Sequence, residues 1–224
     1  MRPEIIIMLT HHDVTVKNAH EVFEQCKDIE EVKYWGFKNV GLPKDEMKAL
    51  TAAMKAAGKT TFLEVVTYDE ASCLDGAQTA IDCGFDYLMG TIYYDSVAKL
   101  LRDNGMDYLP FVGKVSGSPS ILEGTNEEII QNAKDLMAKG INGFDILAYR
   151  HVVDGEKLAY DFCKAVDAKI CIAGSINSFA RIDTMFDIGP WTFTMGSALF
   201  EKKFVADGSF RENLQAVADY MAKK

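Results

Sequence analysis

One five-residue phrase is written three times in this chain: Gly84-Phe85-Asp86-Tyr87-Leu88, Gly105-Met106-Asp107-Tyr108-Leu109 and Gly143-Phe144-Asp145-Ile146-Leu147. Each copy opens on a glycine that closes a helical pattern and then enters a new apolar run. That is the signature of repeated helix–turn–strand units. Upstream, Glu4–Thr10 (EIIIMLT) is a nearly unbroken β-branched run, as a strand buried on both faces requires. Lys33–Val40 and Thr60–Val66 read as the second and third strands. Between them Met47, Leu50, Met54 and Ala57 mark one face of a helix that starts at Pro43 and stops at Gly58. The three phrases begin strands four, five and six, with helices near Ser96–Arg102, Glu127–Lys139 and Gly155–Val166. Thr125 with Glu128, and Ser209 with Glu212, have capping-box spacing and set the starts of two helices.

Downstream, Lys169–Phe200 (KICIAGSINSFARIDTMFDIGPWTFTMGSALF) contains two further strands, Ile170–Ala173 and Thr192–Met195. Eight strands alternating with eight helices over 224 residues give about 28 residues a unit, the scale of a compact (β/α)₈ TIM barrel. An open doubly wound sheet would accommodate the same alternation. The count of eight and the lack of a G-x-G-x-x-G phrase favour the barrel, as an α/β single domain over residues 1–224.

The net charge of −9 argues against a nucleic-acid or anionic-membrane surface, while leaving room for a locally positive pocket. No run approaches membrane-spanning length, and the N-terminal MRPEIIIMLTHHD is too short and polar for a signal peptide. The five cysteines form no C-x-x-C and read mainly as small core residues of a reduced, cytoplasmic protein. A homo-oligomer is left open.

Both strands of Lys169–Phe200 end in Gly-Ser, at Gly174-Ser175 and Gly196-Ser197, each followed by a helix start. Backbone N–H groups, a hydroxyl and the positive end of a helix make such a turn an anion site, most often for phosphate. Two on consecutive strands predict one phosphate held from both sides; two ordinary strand–helix turns are the plainer reading.

Barrel chemistry lies on the loops beyond the strands' C-terminal ends. Lys114 closes strand five inside FVGK, an apolar run expected to desolvate its amine and suit it to proton transfer or Schiff-base formation. Glu64 sits within strand three, where burial favours a general acid or base, and Lys38 at the end of strand two is its counter-charge. The three are read as catalytic, the alternative being a structural ion-pair cluster. His11, Tyr149 and Arg150 are candidate substrate contacts. The adjacent His11-His12 pair supports no metal site, and no cofactor motif occurs. The polar loop Val115–Gly124 reads either as a closing flap or as plain surface.

Ile172-Ala173-Gly174-Ser175-Ile176 followed by Met195-Gly196-Ser197-Ala198-Leu199-Phe200 resembles the paired phosphate grip of the ribulose-phosphate-binding barrel superfamily. The second half is most similar to the histidine-biosynthesis barrels. Ala138–Asp145 resembles a helix-to-strand phrase common among these proteins. The resemblance covers the last third of the chain and implies a phosphorylated substrate. It does not extend to every catalytic pattern. The histidine-pathway isomerase has Asp at the ends of strands one and five, where this chain has Thr10-His11 and Lys114. The superfamily's decarboxylases carry Asp-x-Lys-x-x-Asp at strand three, where this chain has Glu64, Val66 and Asp69. The ligands of the metal-dependent epimerases are missing.

These readings lead to a cofactor-independent isomerase or epimerase of a small phosphorylated sugar. Glu64 and Lys114 would move protons beside a carbonyl, and Lys38 would stabilise the enolate oxygen. The alternatives are a Schiff-base lyase acting through Lys114 or Lys38, and a phospholigand-binding barrel without catalysis.

Overall fold

The computed structural model describes residues 2–224. The expected strands all form: β1 (Glu4–Met8), β2 (Tyr34–Lys38), β3 (Thr60–Val65), β4 (Tyr87–Gly90), β5 (Asp107–Leu109), β6 (Gly143–Ile146), β7 (Lys169–Ile172) and β8 (Thr192–Met195). They make one parallel sheet in the order β6-β7-β8-β1-β2-β3-β4-β5. A parallel bridge between Phe111 and Asp145, with Asp145 N–H donating to Pro110 O at 3.0 Å, joins the two edges. The architecture is a (β/α)₈ barrel.

Alternation along the strands creates two apolar layers. On β1, Ile5, Ile7 and Leu9 pack outward against the helices, while Ile6 and Met8 enter a smaller cluster inside the barrel with Phe62, Met89, Leu109 and Cys171. That is why EIIIM shows no polar face. Tyr34 and Phe62 belong to the inner set, so Lys38 and Glu64, displaced from them by even numbers of residues, share their inward faces. The two pair directly in the β2–β3 register. All five cysteines are free thiols, and every one but the half-buried Cys163 is buried.

The helices are α1 (Ala19–Cys26), α2 (Lys44–Ala56), α3 (Glu70–Cys83), α4 (Asp95–Asp103), α5 (Asn126–Ala138), α6 (Gly155–Ala165), α7 (Phe179–Ile188), the single turn α8 (Ser197–Phe200) and α9 (Phe210–Ala222). Both expected capping boxes are present, at Thr125/Glu128 and Ser209/Glu212. Among the described residues no helix is long and apolar enough to cross a membrane.

Two local expectations are corrected, and one element lies outside them. The chain after β1 does not run straight into α1. It folds into a small hairpin, Thr10–His11 against Val14–Thr15, whose two turn residues His12 and Asp13 both have positive φ (51° and 61°). Such two-residue turns usually advertise themselves as Asn-Gly, and His-Asp carries no such signal. Next, Gly174-Ser175 does not open a helix: α7 begins at Phe179, with Ser178 as its cap. Finally, β5 does not run on to Lys114. The chain turns at Gly113 (φ 74°), where a Cβ would lie 2.8 Å from Leu122 and 2.9 Å from Ile129, and forms a second hairpin, Lys114–Ser116 against Ile121–Glu123.

Candidate active site

A cleft of about 250 Å³ opens at the C-terminal ends of the strands. It brings together Gly174, Ser175, Gly196 and Ser197 with Lys38, Glu64 and Arg150, seven of the residues singled out from the sequence, and adds Asp13, Ser120, Thr194 and Glu201.

One wall is built from backbone. Gly174 (φ 83°) and Ser175 (φ 62°) are consecutive left-handed residues, and Gly174 N–H donates to Thr194 Oγ1 at 3.2 Å. Gly196 is the cap of α8 and lies so close to β1 that a Cβ would stand 2.9 Å from the carbonyl oxygens of Met8 and Thr10. Only glycine lets this turn approach the strand end so closely. Among the described residues, the N–H groups of Ser175, Ile176, Ser197 and Ala198 have no acceptor in the protein. They are donors awaiting an anion or water. Arg150 packs across this wall, with its Nε 3.2 Å from where a Gly174 Cβ would be.

The facing wall is built from charged side chains. Lys38, 8% exposed, donates from Nζ to Asp13 Oδ1 at 2.9 Å and stands 3.8 Å from Glu64 Oε1. The first hairpin is stapled to β2 at this point: Thr15 Oγ1 donates to Lys38 O at 2.8 Å and accepts from Lys38 N–H at 2.9 Å. The hairpin tip thereby carries Asp13 to Lys38 and to Arg150, whose Nη2 is 3.6 Å from Asp13 Oδ1. Burial alone would lower the Lys38 pKa. The charge of Glu64 and the bond to Asp13 outweigh it, so the ammonium is held above its usual range. The carboxyl of Asp13 is lowered: its partial burial works against ionisation, and Lys38 and Arg150 overcome it.

Beneath them lies Asp145, which was not among the sequence candidates. It is fully buried, and neither carboxyl oxygen has a hydrogen-bond partner. Burial first, and then the neighbouring charge of Glu64, raises its pKa well above the carboxylate range, with Lys38 and Arg150 opposing. Burial thus favours the protonated form of the Asp145 carboxyl. The residue belongs to the third copy of the repeated phrase, whose other aspartates have structural partners: Asp86 accepts from Thr61 N–H and Oγ1 at 2.8 Å, and Asp107 from Lys169 at 3.0 Å. Asp145 bridges to Phe111, two residues beyond the end of β5 and four beyond Asp107, so the same letter stands about 13 Å further along the strand direction. The repeat disguised it as a turn residue; its position in the middle of an apolar strand was the available signal.

Three of the expected site residues do not join the cleft. Lys114 lies on the second hairpin with its side chain 76% exposed, 3.6 Å from Glu123, so the expected desolvation of its amine is incorrect. The His11 ring stacks on His12 and Phe200, with Nε2 3.8 Å from Glu201, and does not line the cleft. Nor does Tyr149, whose ring lies under the Arg181 guanidinium at 3.8 Å. The polar loop is partly what was expected: its Ser120 forms part of the cleft wall, fixed by a 2.7 Å hydrogen bond with Tyr68 Oη.

No protein-family model matches the sequence, and no curated protein matches it significantly. Solved structures do match in fold. An orotidine 5'-phosphate decarboxylase from Pyrococcus horikoshii superposes with a TM-score of 0.70 at 11% identity, over 97% of this chain and 99% of that one. A 4-hydroxy-2-oxoglutarate/2-dehydro-3-deoxyphosphogluconate aldolase gives 0.62 at 14% identity, over 97% and 94%. The N-acetylmannosamine-6-phosphate 2-epimerase of Clostridium perfringens gives 0.63 at 11%, over 90% and 91%. The chain is thus similar in fold to TIM-barrel enzymes that catalyse three different reactions.

Proposed function

We propose that the protein is a cofactor-independent isomerase or epimerase of a small phosphorylated sugar. One observation carries this reading: a single cleft faces the unpartnered N–H groups of the two Gly-Ser turns with the Lys38–Glu64 pair. A phosphate between Gly174-Ser175 and Gly196-Ser197 would present the sugar's carbon chain to Lys38. Glu64, 3.8 Å from the Lys38 ammonium, then removes a proton from a carbon next to the carbonyl. The Lys38 ammonium stabilises the oxygen that becomes negative, while Asp145, buried outside the cleft lining, acts only through the charge balance of the pair. The fold relatives named for phosphorylated compounds support a phosphate handle and leave the reaction open.

The lyase alternative is less well supported. A Schiff-base lysine must give up its proton to attack a carbonyl, whereas two carboxylates keep Lys38 charged, and Lys114 is exposed. Val66 lines the cleft at the lysine position of the decarboxylase pattern Asp-x-Lys-x-x-Asp, which weighs against that chemistry as well. Borohydride reduction in the presence of a panel of pentose and hexose phosphates tests the choice. The proton-transfer reading expects turnover without a trapped adduct; a stable adduct at Lys38 would overturn it in favour of the lyase. Binding without turnover, unchanged in Glu64→Gln, would leave a phospholigand-binding barrel.

A further inference from the structure

The cleft continues past the Lys38 ammonium. A second lobe of about 180 Å³ shares Asp13, Lys38, Val66 and Ser120 with the first and contains none of the four Gly-Ser residues. Its remaining walls are Asn39, Val40, Tyr68 and the hairpin tip Gly117–Ser120. The tip is anchored: Tyr68 Oη donates to Gly117 O at 2.8 Å besides its bond with Ser120. Lys38 and Asp13 therefore form a ridge between two built compartments, one floored by free backbone N–H groups and one without them.

The charge content of the second lobe differs from that of the first. Its only charged members are Lys38 and Asp13, which are hydrogen-bonded to each other at 2.9 Å. The rest of the wall is apolar at Val40, Val66 and Pro119 and neutral at Asn39 and Ser118. A second phosphate or a carboxylate placed here would find no uncommitted cation and would lie beside the Asp13 carboxyl, an unfavourable arrangement for an anion. An uncharged, partly apolar group meets matching surface.

We infer that the second lobe receives the end of the substrate opposite its phosphate, and that this end is uncharged: the substrate class is a monophosphate with a neutral head, not a bisphosphate or a phosphorylated sugar acid. This rests on the proposed phosphate site and narrows it. The hydroxyls or acylamino group of the head face Asn39 and Ser118, and its carbon framework faces Val40, Val66 and Pro119.

Calorimetric titration separates the two claims. The probes are inorganic phosphate, ribose 5-phosphate, glucose 6-phosphate, N-acetylglucosamine 6-phosphate, 6-phosphogluconate and fructose 1,6-bisphosphate. The expected result is that at least one neutral-headed phosphate binds about tenfold or more tighter than inorganic phosphate. The acid-headed and bisphosphorylated compounds should bind about tenfold weaker than that neutral-headed compound, a gap of about 1.4 kcal/mol. Val40→Lys, at a position already 46% exposed, adds a cation to the lobe. It should close the gap while leaving inorganic phosphate binding unchanged. If no neutral-headed compound exceeds inorganic phosphate, or if Val40→Lys leaves the order unaltered, the second lobe does not read the substrate's head and the inference fails. If inorganic phosphate binding is indifferent to Ser197→Asp, the phosphate site itself is wrong, whatever the order of the other probes.

Discussion

The barrel interior holds a lysine with carboxylate partners at each end, and the two sites behave in opposite ways. At the N-terminal end Lys169 donates to Tyr87 Oη at 2.9 Å and Asp107 at 3.0 Å, and lies over the rings of Tyr87 and Trp191. Those rings join Tyr34 and Phe62 in an aromatic floor with centroids 4.6–6.1 Å apart. Lys169, Tyr87 and Asp107 are all hydrogen-bonded there. At the C-terminal end Lys38 faces Asp13, Glu64 and Asp145, and the deepest carboxyl has no hydrogen bond at all. A saturated cluster closes the barrel. An unsaturated one, beside open N–H donors, stores a charge arrangement that only a ligand completes.

The largest expected effects come from Asp145→Asn and Lys38→Met. The first replaces the buried carboxyl, whose pKa burial and Glu64 raise, with a neutral amide of the same shape, so the protein should gain stability at pH 7 while activity falls by about 10²-fold through the altered charge balance at Lys38 and Glu64. The sign follows from proton linkage. With its folded pKa raised above the unfolded value near 3.8, Asp145 contributes stability that is fully present below that value and is lost as pH rises through the folded pKa. The variant should therefore melt higher than wild type at pH 7 and the difference should vanish below about pH 4. Thermal melts across pH check this; an unstable variant at pH 7 would show that Asp145 is ionised and structurally paired.

Lys38→Met against Lys169→Met compares the two lysines directly. Removing Lys38 leaves the buried Glu64 without its counter-charge and should cost about 3 kcal/mol in denaturant melts, with turnover lost by about 10²-fold or more. Lys169 is two-fifths exposed, and its loss should cost about 1 kcal/mol or less and spare turnover. Equal losses of activity would erase the distinction between floor and mouth. Next, Gly196→Ala must push its turn away from the Met8 and Thr10 carbonyls, and KM for a sugar phosphate should rise by about tenfold with a smaller change in kcat. The smallest effect belongs to Lys114→Ala, for which kinetics within about twofold of wild type are expected, since truncating a solvated surface side chain changes little.

The contrast also explains what was legible in the sequence. Strand and helix positions followed from periodicity, capping boxes and the thrice-written phrase, because those signals are local and burial of both strand faces leaves long apolar runs. The Gly-Ser turns were legible for a related reason: a glycine required by close backbone approach, as at Gly196, stands out in the chain. The charged mouth was only half legible. Lys38 and Glu64 declared themselves as charges ending or interrupting apolar strands. Asp145 did the same but was masked by resemblance to Asp86 and Asp107, whose depth in the barrel differs through the stagger between neighbouring strands. Lys114 was misplaced because one left-handed glycine, Gly113, turns the chain outward, and nothing in FVGK distinguishes a strand end from a hairpin start. Asp13 was legible as a polar residue beyond the end of β1, but the turn of two left-handed non-glycine residues that carries it to Lys38 has no sequence signature.

The central step is proton transfer at a substrate carbon by Glu64, with Lys38 at the developing oxygen. Its most direct test is solvent exchange. The protein is incubated in deuterium oxide with the sugar phosphate that binds most tightly, and the recovered sugar is read by proton resonance and mass. The account predicts one deuterium at the carbon beside the carbonyl, incorporated by wild type and lost in Glu64→Gln. Turnover or binding with no deuterium at that carbon would contradict it.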